Sequence, residues 1–311
     1  GKIAQRYFYD RMKDFLKRAM KEYSDLTGRI YKIVEPYRIE DAEYAIVTLG
    51  TMAETAMATV DWIRENLGWR VGVLNLRTFR PFPGPEVVAV LKHLKAIAVI
   101  ERMDMPTGQS NPVTAEIKAA FADAFTGAIG YPEEYPRIDR IPLIYSGSAG
   151  LGGRDVRAGD FIAAFKHIIE ERKDRYFVLG IKHPLALERE LDPDVRPKGA
   201  FSLRGHSVGG FGSVTTNRVI ATILGDLFGL YVQAYPKYGS EKKGLPTTYY
   251  LTAAEEPIRS HSELNQVEFV PLNDVNAFNT GNPLEGLKDG GIVFLQTHEE
   301  EPEKVEEVSG G

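Results

Sequence analysis

The 311-residue chain contains no cysteine. Disulfides are therefore excluded, as are thiolate-bound iron–sulfur clusters and cysteine-based zinc sites within it. The lack is compatible with a reducing compartment. Basic residues are in short supply too: 38 Lys and Arg stand against 43 Asp and Glu, a formal charge of −5. Without a basic excess there is no general attraction for the phosphates of nucleic acid. No apolar run approaches the ~20 residues that cross a bilayer. The opening residues, Gly1-Lys2-Ile3-Ala4-Gln5-Arg6-Tyr7, lack the apolar stretch of a secretory signal. A cytoplasmic protein without a membrane partner is expected. There is no initiator methionine, so the chain is expected to begin inside a longer polypeptide or after processing.

Several catalytic signatures are also missing. His93, His167 and His183 are scattered, so no metal-ligand spacing exists and no metal site is expected. There is no G-x-S-x-G, no phosphate-binding P-loop and no Cys–His pair. No repeat of solenoid period occurs. No catalytic residue is assigned to this chain.

What is present is an α/β pattern. The chain is 43% hydrophobic and 26% charged, ordinary for a globular protein, and its length fits two domains. Residues 5–24 read as an amphipathic helix with Phe8, Met12, Phe15, Leu16, Met20 and Tyr23 on one stripe, and Gly28 suits a left-handed cap. That stripe needs cover from the next domain, an upstream domain or a partner. Short continuous apolar runs at 44–49, 70–76 and 96–101 read as strands buried on both faces, with a fourth strand at 141–145. They alternate with helical patterns at 54–66, 87–94 and 113–125, which predicts a parallel sheet with right-handed crossovers. The expected class is α/β, with two doubly wound, mostly parallel-sheet domains joined by a Pro/Gly-rich connector. The expected boundaries are an N-terminal helix at 1–28, a first domain at 29–150, a connector at 151–197, a second domain at 198–298 and an acidic tail at 299–311. The connector carries a helix at 160–172 and a strand at 176–181. Predicted strands of the second domain lie at 200–204, 231–235, 249–252, 269–272 and 291–295, with a helix running to Phe228.

Two segments of the second domain carry candidate chemistry. Val208-Gly209-Gly210-Phe211-Gly212-Ser213 is a glycine-rich turn between a strand and a helix. Such a turn lets backbone amides approach an anion at a helix N-terminus, and it equally serves as a tight structural turn. Gly205, Gly210 and Gly212 do not match G-x-G-x-x-G, and no carboxylate ends the second strand at Tyr235-Pro236-Lys237, which argues against a nicotinamide site. The loop from Lys237 to Thr248 brings Lys242 and Lys243 beyond a strand edge, as phosphate countercharge or as a solvated pair. Arg259, Asn265 and Asn273 could meet a ligand or cap turns, and His206 and His261 could make polar contacts. Glu101-Arg102 ends a strand, where an intramolecular ion pair is the expected state.

Taken together, the runs 48–83, 96–112 and 145–156 resemble the second domain of pyruvate:ferredoxin oxidoreductases, itself like the C-terminal domain of transketolases. The strand turning at Gly50, the segment Leu76-Arg77-Thr78-Phe79-Arg80-Pro81-Phe82, the Glu101-Arg102 pair and Gly150-Leu151-Gly152-Gly153 carry the match. The remainder resembles the γ-type catalytic domain of the same 2-oxoacid:ferredoxin oxidoreductases. There the glycine turn, Tyr238-x-Ser240-x-Lys242, Pro257-Ile258-Arg259-Ser260, Leu264-Asn265 and Asp289-Gly290-Gly291 have counterparts. The resemblance implies oxidative decarboxylation of a 2-oxoacid such as pyruvate to an acyl-CoA, with electrons passed to ferredoxin or flavodoxin. It implies coenzyme A held by Gly209, Gly210, Gly212, Ser213, Ser240, Lys242, Lys243 and Asn265. Thiamine diphosphate, magnesium and [4Fe-4S] clusters are implied for other chains or domains of the assembly, since this chain has neither the G-D-G motif nor cysteine. Two positions depart from the family pattern: Ser207 replaces the first turn glycine, and Glu241 stands where a lysine is common. An alternative reading is a structural or interaction subunit with no ligand of its own.

Overall fold

The computed structural model describes residues 1–127, 134–237 and 246–297. The chain divides into two units, Gly1–Val195 and Arg196–Gly311.

The first unit begins with α1 (Arg6–Tyr9) and α2 (Met12–Thr27), so the helix expected at 5–24 is broken at Asp10–Arg11 and runs on to Thr27. Gly28 closes it in the left-handed conformation, φ 70°. Lys13 is buried against Glu86 at 2.6 Å and Lys17 reaches the same carboxylate at 3.0 Å. Burial pushes the Glu86 carboxyl up, but the two lysine ammonium groups outweigh it and hold the carboxyl lowered. These ion pairs seat α2, while Phe8, Phe15 and Tyr23 of the predicted stripe remain exposed.

The sheet of this unit has six strands in the order β1-β3-β2-β4-β5-β6. They are β1 (Val34–Tyr37), β2 (Tyr44–Thr48), β3 (Val71–Leu76), β4 (Ala96–Glu101), β5 (Leu143–Ser148) and β6 (Tyr176–Val178). All neighbours are parallel except β1, which pairs antiparallel with β3 at the edge. Between the strands lie α3 (Thr51–Asn66), α4 (Gly84–Leu91), α5 (Pro112–Thr126) and α6 (Ala158–Ile169). Strand side chains alternate between faces, and here both faces are covered. Ile46, Val73 and Ala98 join a core with Val60 of α3 and Phe161 of α6. Ala45, Leu74 and Ile97 join a second core with Val88 of α4 and Ile117 of α5. This double cover is why the strands read as continuous apolar runs. The helix α6 and strand β6 fall within 151–197, the stretch expected as connector; β6 pairs with β5 and completes this sheet.

The second unit contains β7 (Phe201–Val208), α7 (Ser213–Thr222), β8 (Tyr231–Lys237), β9 (Pro246–Ala254), β10 (Val267–Leu272) and β11 (Leu287–Leu295). Its sheet order is β11-β10-β7-β9-β8. The β10 strand is parallel to β7 and β11, whereas β9 is antiparallel to β7 and β8, so four strands share one direction and β9 opposes them. The helix predicted to reach Phe228 is α-helical to Thr222 and then forms a π turn over Ile223–Leu227. Ala221 and Leu224 pack onto Leu203, Tyr249, Leu251 and Ala253. Buried Asn217 ties α7 to the sheet, its Nδ2 donating to the Tyr250 carbonyl at 2.9 Å.

Two charged groups anchor the irregular segments. The buried Arg204 guanidinium donates to the carbonyls of Leu264, Pro283 and Glu285. Glu268 accepts from Arg196 at 2.9 and 3.0 Å and from the Ser202 amide at 2.7 Å. Among the described residues no helix is long and apolar enough to cross a membrane.

Candidate functional site: a polar cavity in the second unit

A cavity of about 1080 Å³ opens at the carboxyl ends of β7, β10 and β11. The connection leaving β7 leads toward β8, and the one leaving β10 leads to β11 on the other side. The chain diverges between them, which is where open α/β sheets form ligand crevices.

The glycine turn borders this cavity. Gly209 and Gly210 turn the chain after β7, with the Phe211 amide donating to the Val208 carbonyl at 3.3 Å. Gly210 (φ 99°) and Gly212 (φ 86°) occupy the left-handed region that favours glycine. A Cβ on Gly212 would meet nothing within 4 Å, so its requirement is conformational. No side chain caps α7, whose first amides lack intrahelical acceptors. Ser213 begins the helix and lines the cavity with Phe211 and Thr216.

Ser207, the departure at the turn, is the last buried side chain of β7 before the cavity. It is 3% exposed, lines the cavity, and its Oγ has no hydrogen-bond partner among the described residues. The neighbouring His206 is half-buried; its Nε2 likewise has no such partner. Burial, reinforced by Arg204, pushes the imidazole down to about 4, so it is neutral at pH 7.

The opposite wall comes from three strand ends. Tyr249 pairs directly with Gly205 across β7 and β9. A Cβ on Gly205 would overlap the Tyr249 ring, so glycine there is what lets the ring lie across β7. The Tyr249 hydroxyl then donates to Asn273 Oδ1 at 2.7 Å, and Asn273 Nδ2 donates to Gln296 Oε1 at 3.3 Å. Burial holds the Tyr249 phenol at about 12, which keeps it a neutral donor. Asp274 completes this side, bonded to Asn276 through the amide N at 3.1 Å and Nδ2 at 2.9 Å.

Of the residues nominated by sequence, Ser213 lines the cavity; Gly209, Gly210 and Gly212 are not among its lining residues but flank Phe211 and Ser213, which are. Asn265 is not among the residues lining the cavity; its carbonyl packs where a Cβ on Gly286 (φ 74°) would stand. Ser240, Lys242, Lys243 and Glu241 lie outside the described residues. Asn273 does line the cavity, whereas His261 sits with Gln233 at 3.3 Å. Tyr249, Asp274 and Gln296 carry no motif. Their one sequence signal is position, at the ends of predicted strands that share an edge.

In the first unit, the ion pair expected for Glu101 gives way to a helix cap. The buried carboxylate accepts from the amides of Val113 at 2.7 Å and Thr114 at 3.1 Å and from the Thr114 hydroxyl at 2.9 Å. Acidic side chains are favoured at such a helix start. The glycine loop after β5 borders a cavity of about 1010 Å³, but its buried carboxylate, Asp160, is already held by Arg189 at 3.2 Å. Among the described residues no group of three or more His, Asp or Glu is placed to hold a metal ion.

Two α/β units, the second with a polar crevice at its strand ends beside an uncapped helix, define an α/β protein with a candidate ligand cleft. Comparison with known proteins gives the family. Residues 202–310 match the family model described as pyruvate ferredoxin/flavodoxin oxidoreductase, and residues 42–135 match that of pyruvate:ferredoxin oxidoreductase core domain II. The chain is 29% identical over 297 residues to the pyruvate-flavodoxin oxidoreductase of Enterobacter agglomerans, covering 94% of this chain and 24% of that one. It is 30% identical over 294 residues to the Klebsiella pneumoniae enzyme of the same name, covering 93% and 24%. A solved pyruvate oxidoreductase subunit from Thermotoga maritima aligns at 26% identity and a TM-score of 0.30, covering 36% of this chain and 58% of that one. The chain belongs to the 2-oxoacid:ferredoxin oxidoreductase family. It spans about a quarter of the length of the curated relatives it matches.

Proposed function

We propose that this chain serves a thiamine diphosphate-dependent 2-oxoacid:ferredoxin oxidoreductase as scaffold and as the holder of coenzyme A. The reaction converts a 2-oxoacid and the thiol of coenzyme A into an acyl thioester, carbon dioxide and a proton. Two electrons pass singly to ferredoxin or flavodoxin. Thiamine diphosphate with magnesium, which supplies the carbanion chemistry of decarboxylation, and [4Fe-4S] clusters belong to other parts of a cytoplasmic assembly. The cysteine-free sequence offers clusters no thiolate ligand.

The observation that carries the reading is the buried Ser207 hydroxyl, unpartnered among the described residues, facing a cavity that also meets the uncapped start of α7. A helix N-terminus attracts anions through its amides and dipole. In this reading the amides of Gly209, Gly210, Gly212 and Ser213 meet a phosphate, and Lys242 and Lys243 supply countercharge. Titration of coenzyme A into the assembled oxidoreductase tests it. Replacing both lysines (Lys242→Ala, Lys243→Ala) is expected to weaken binding roughly tenfold or more, as for the loss of charge-assisted contacts of about 1.5 kcal/mol. Unchanged affinity would remove the phosphate assignment.

A further inference from the structure

The cavity of the second unit has an unusual charge for a phosphate site. Its lining contains no lysine, arginine or histidine among the described residues, and it does contain the Asp274 carboxylate. A carboxylate beside a phosphate is repulsive, the Asn276 donors to Asp274 carry no charge to offset it, and the helix start can neutralise only part of one charge. The rest of the wall is built for neutral hydrogen bonding. Tyr249 has one proton to give and gives it to Asn273 Oδ1, which turns Asn273 Nδ2 toward Gln296 Oε1. That polarity leaves the Gln296 Nε2 amide as a donor at the far end, while Asp274 stays an acceptor. Ser207 Oγ, buried and unpartnered among the described residues, adds a hydroxyl that is donor or acceptor. Leaving such a group desolvated without a partner costs about 1–3 kcal/mol, so its burial here points to a ligand atom that satisfies it.

We propose that Ser207 and the Tyr249–Asn273–Gln296 chain form a subsite for an uncharged donor–acceptor group, the edge of an amide or of an amino-purine, with the charged groups of the same ligand held outside it. This rests on the coenzyme A reading above and divides that ligand between two environments. Its phosphates lie at the rim by the start of α7. Its neutral part, either the amides of the pantetheine arm or the adenine edge, lies within. Ser207 is a specificity residue of this subsite, since its buried hydroxyl is the group there that has no partner among the described residues.

The test uses the assembled oxidoreductase and three probes measured by calorimetry over a range of salt: coenzyme A, pantetheine and adenosine. Wild-type enzyme is expected to bind coenzyme A and one of the two neutral fragments, which identifies the source of the edge. Ser207→Gly and Asn273→Ala are each expected to weaken that fragment and coenzyme A by about tenfold. They should leave the slope of affinity against salt unchanged, because no phosphate contact is lost. Tyr249→Phe, which removes only the hydroxyl, should act in the same direction and guards against a folding artefact. The proposal is overturned if these variants bind as wild type while the lysine variants do not. It is also overturned if they flatten the salt dependence as the lysine variants do, or if neither neutral fragment binds. Absence of coenzyme A binding in the wild type would overturn the underlying reading as well.

Discussion

His206 shows how a single side chain converts burial into pH sensitivity. Its imidazole is pushed down to about 4 from an ordinary 6.5, first by burial and then by the neighbouring Arg204 charge. As pH falls, the unfolded chain takes up a proton near 6.5 while the folded chain does not. Stability is therefore full above that pH and is lost as pH falls toward 4. Allowing for its partial exposure, the loss attributable to this group is ~1–2 kcal/mol. Urea unfolding at pH 7 and pH 4.5 should show it, and His206→Gln should reduce the difference between the two; an equal difference in the variant would disprove the assignment. Nothing in the sequence announced this state. His206 reads there as one of six histidines, and only the fold buries it beside Arg204.

At the scale of elements, the pairing of β7 with β9 places Gly205 opposite Tyr249. The glycine side leaves room for the aromatic ring, and the ring fills the gap that a glycine makes in a strand. Gly205→Ala would force the ring or the strands apart, an overpacking cost of about 1–3 kcal/mol. It should also weaken any ligand of the cavity by displacing the Tyr249 hydroxyl from Asn273. Thermal unfolding and calorimetry on the variant check both effects, and a wild-type melting temperature would refute the packing argument. The strands themselves were largely legible: AIAVIE is β4 over its full predicted length. The edge strand β1 was not, because Val34-Glu35-Pro36-Tyr37 is short, contains proline and has only one neighbour. Likewise the glycine turn was legible from its composition. The partner wall was not, because Tyr249, Asn273 and Gln296 lie far apart in sequence and meet only through strand order.

At the scale of the whole molecule, the two units differ in how much they bury. The first has two cores, one on each face of its sheet, with Phe161 and Phe165 in one and Phe121 in the other fully enclosed. The core of the second gathers Leu203, Tyr249, Leu251 and Ala253 on one face among the described residues. Burial of apolar area is the main favourable contribution to folding. Residues 1–195 expressed alone are therefore expected to unfold in one cooperative transition, whereas residues 196–311 alone are expected to self-associate. Circular dichroism melts and light scattering against concentration test this; a monomeric, cooperatively folding second unit would contradict it.

The outer strand β11 explains why association rather than simple unfolding is the expected fate. Ile292, Val293 and Phe294 are 64%, 39% and 53% exposed, on both faces of an edge strand. Such a rim offers backbone donors and acceptors together with apolar side chains, the ingredients of a template on which a second strand lays down. For the isolated unit, crowding by its own copies becomes the hazard. Its working lifetime in solution is then governed by how often two rims collide, a quantity that rises with the square of concentration, and not by how close the sample stands to its melting point.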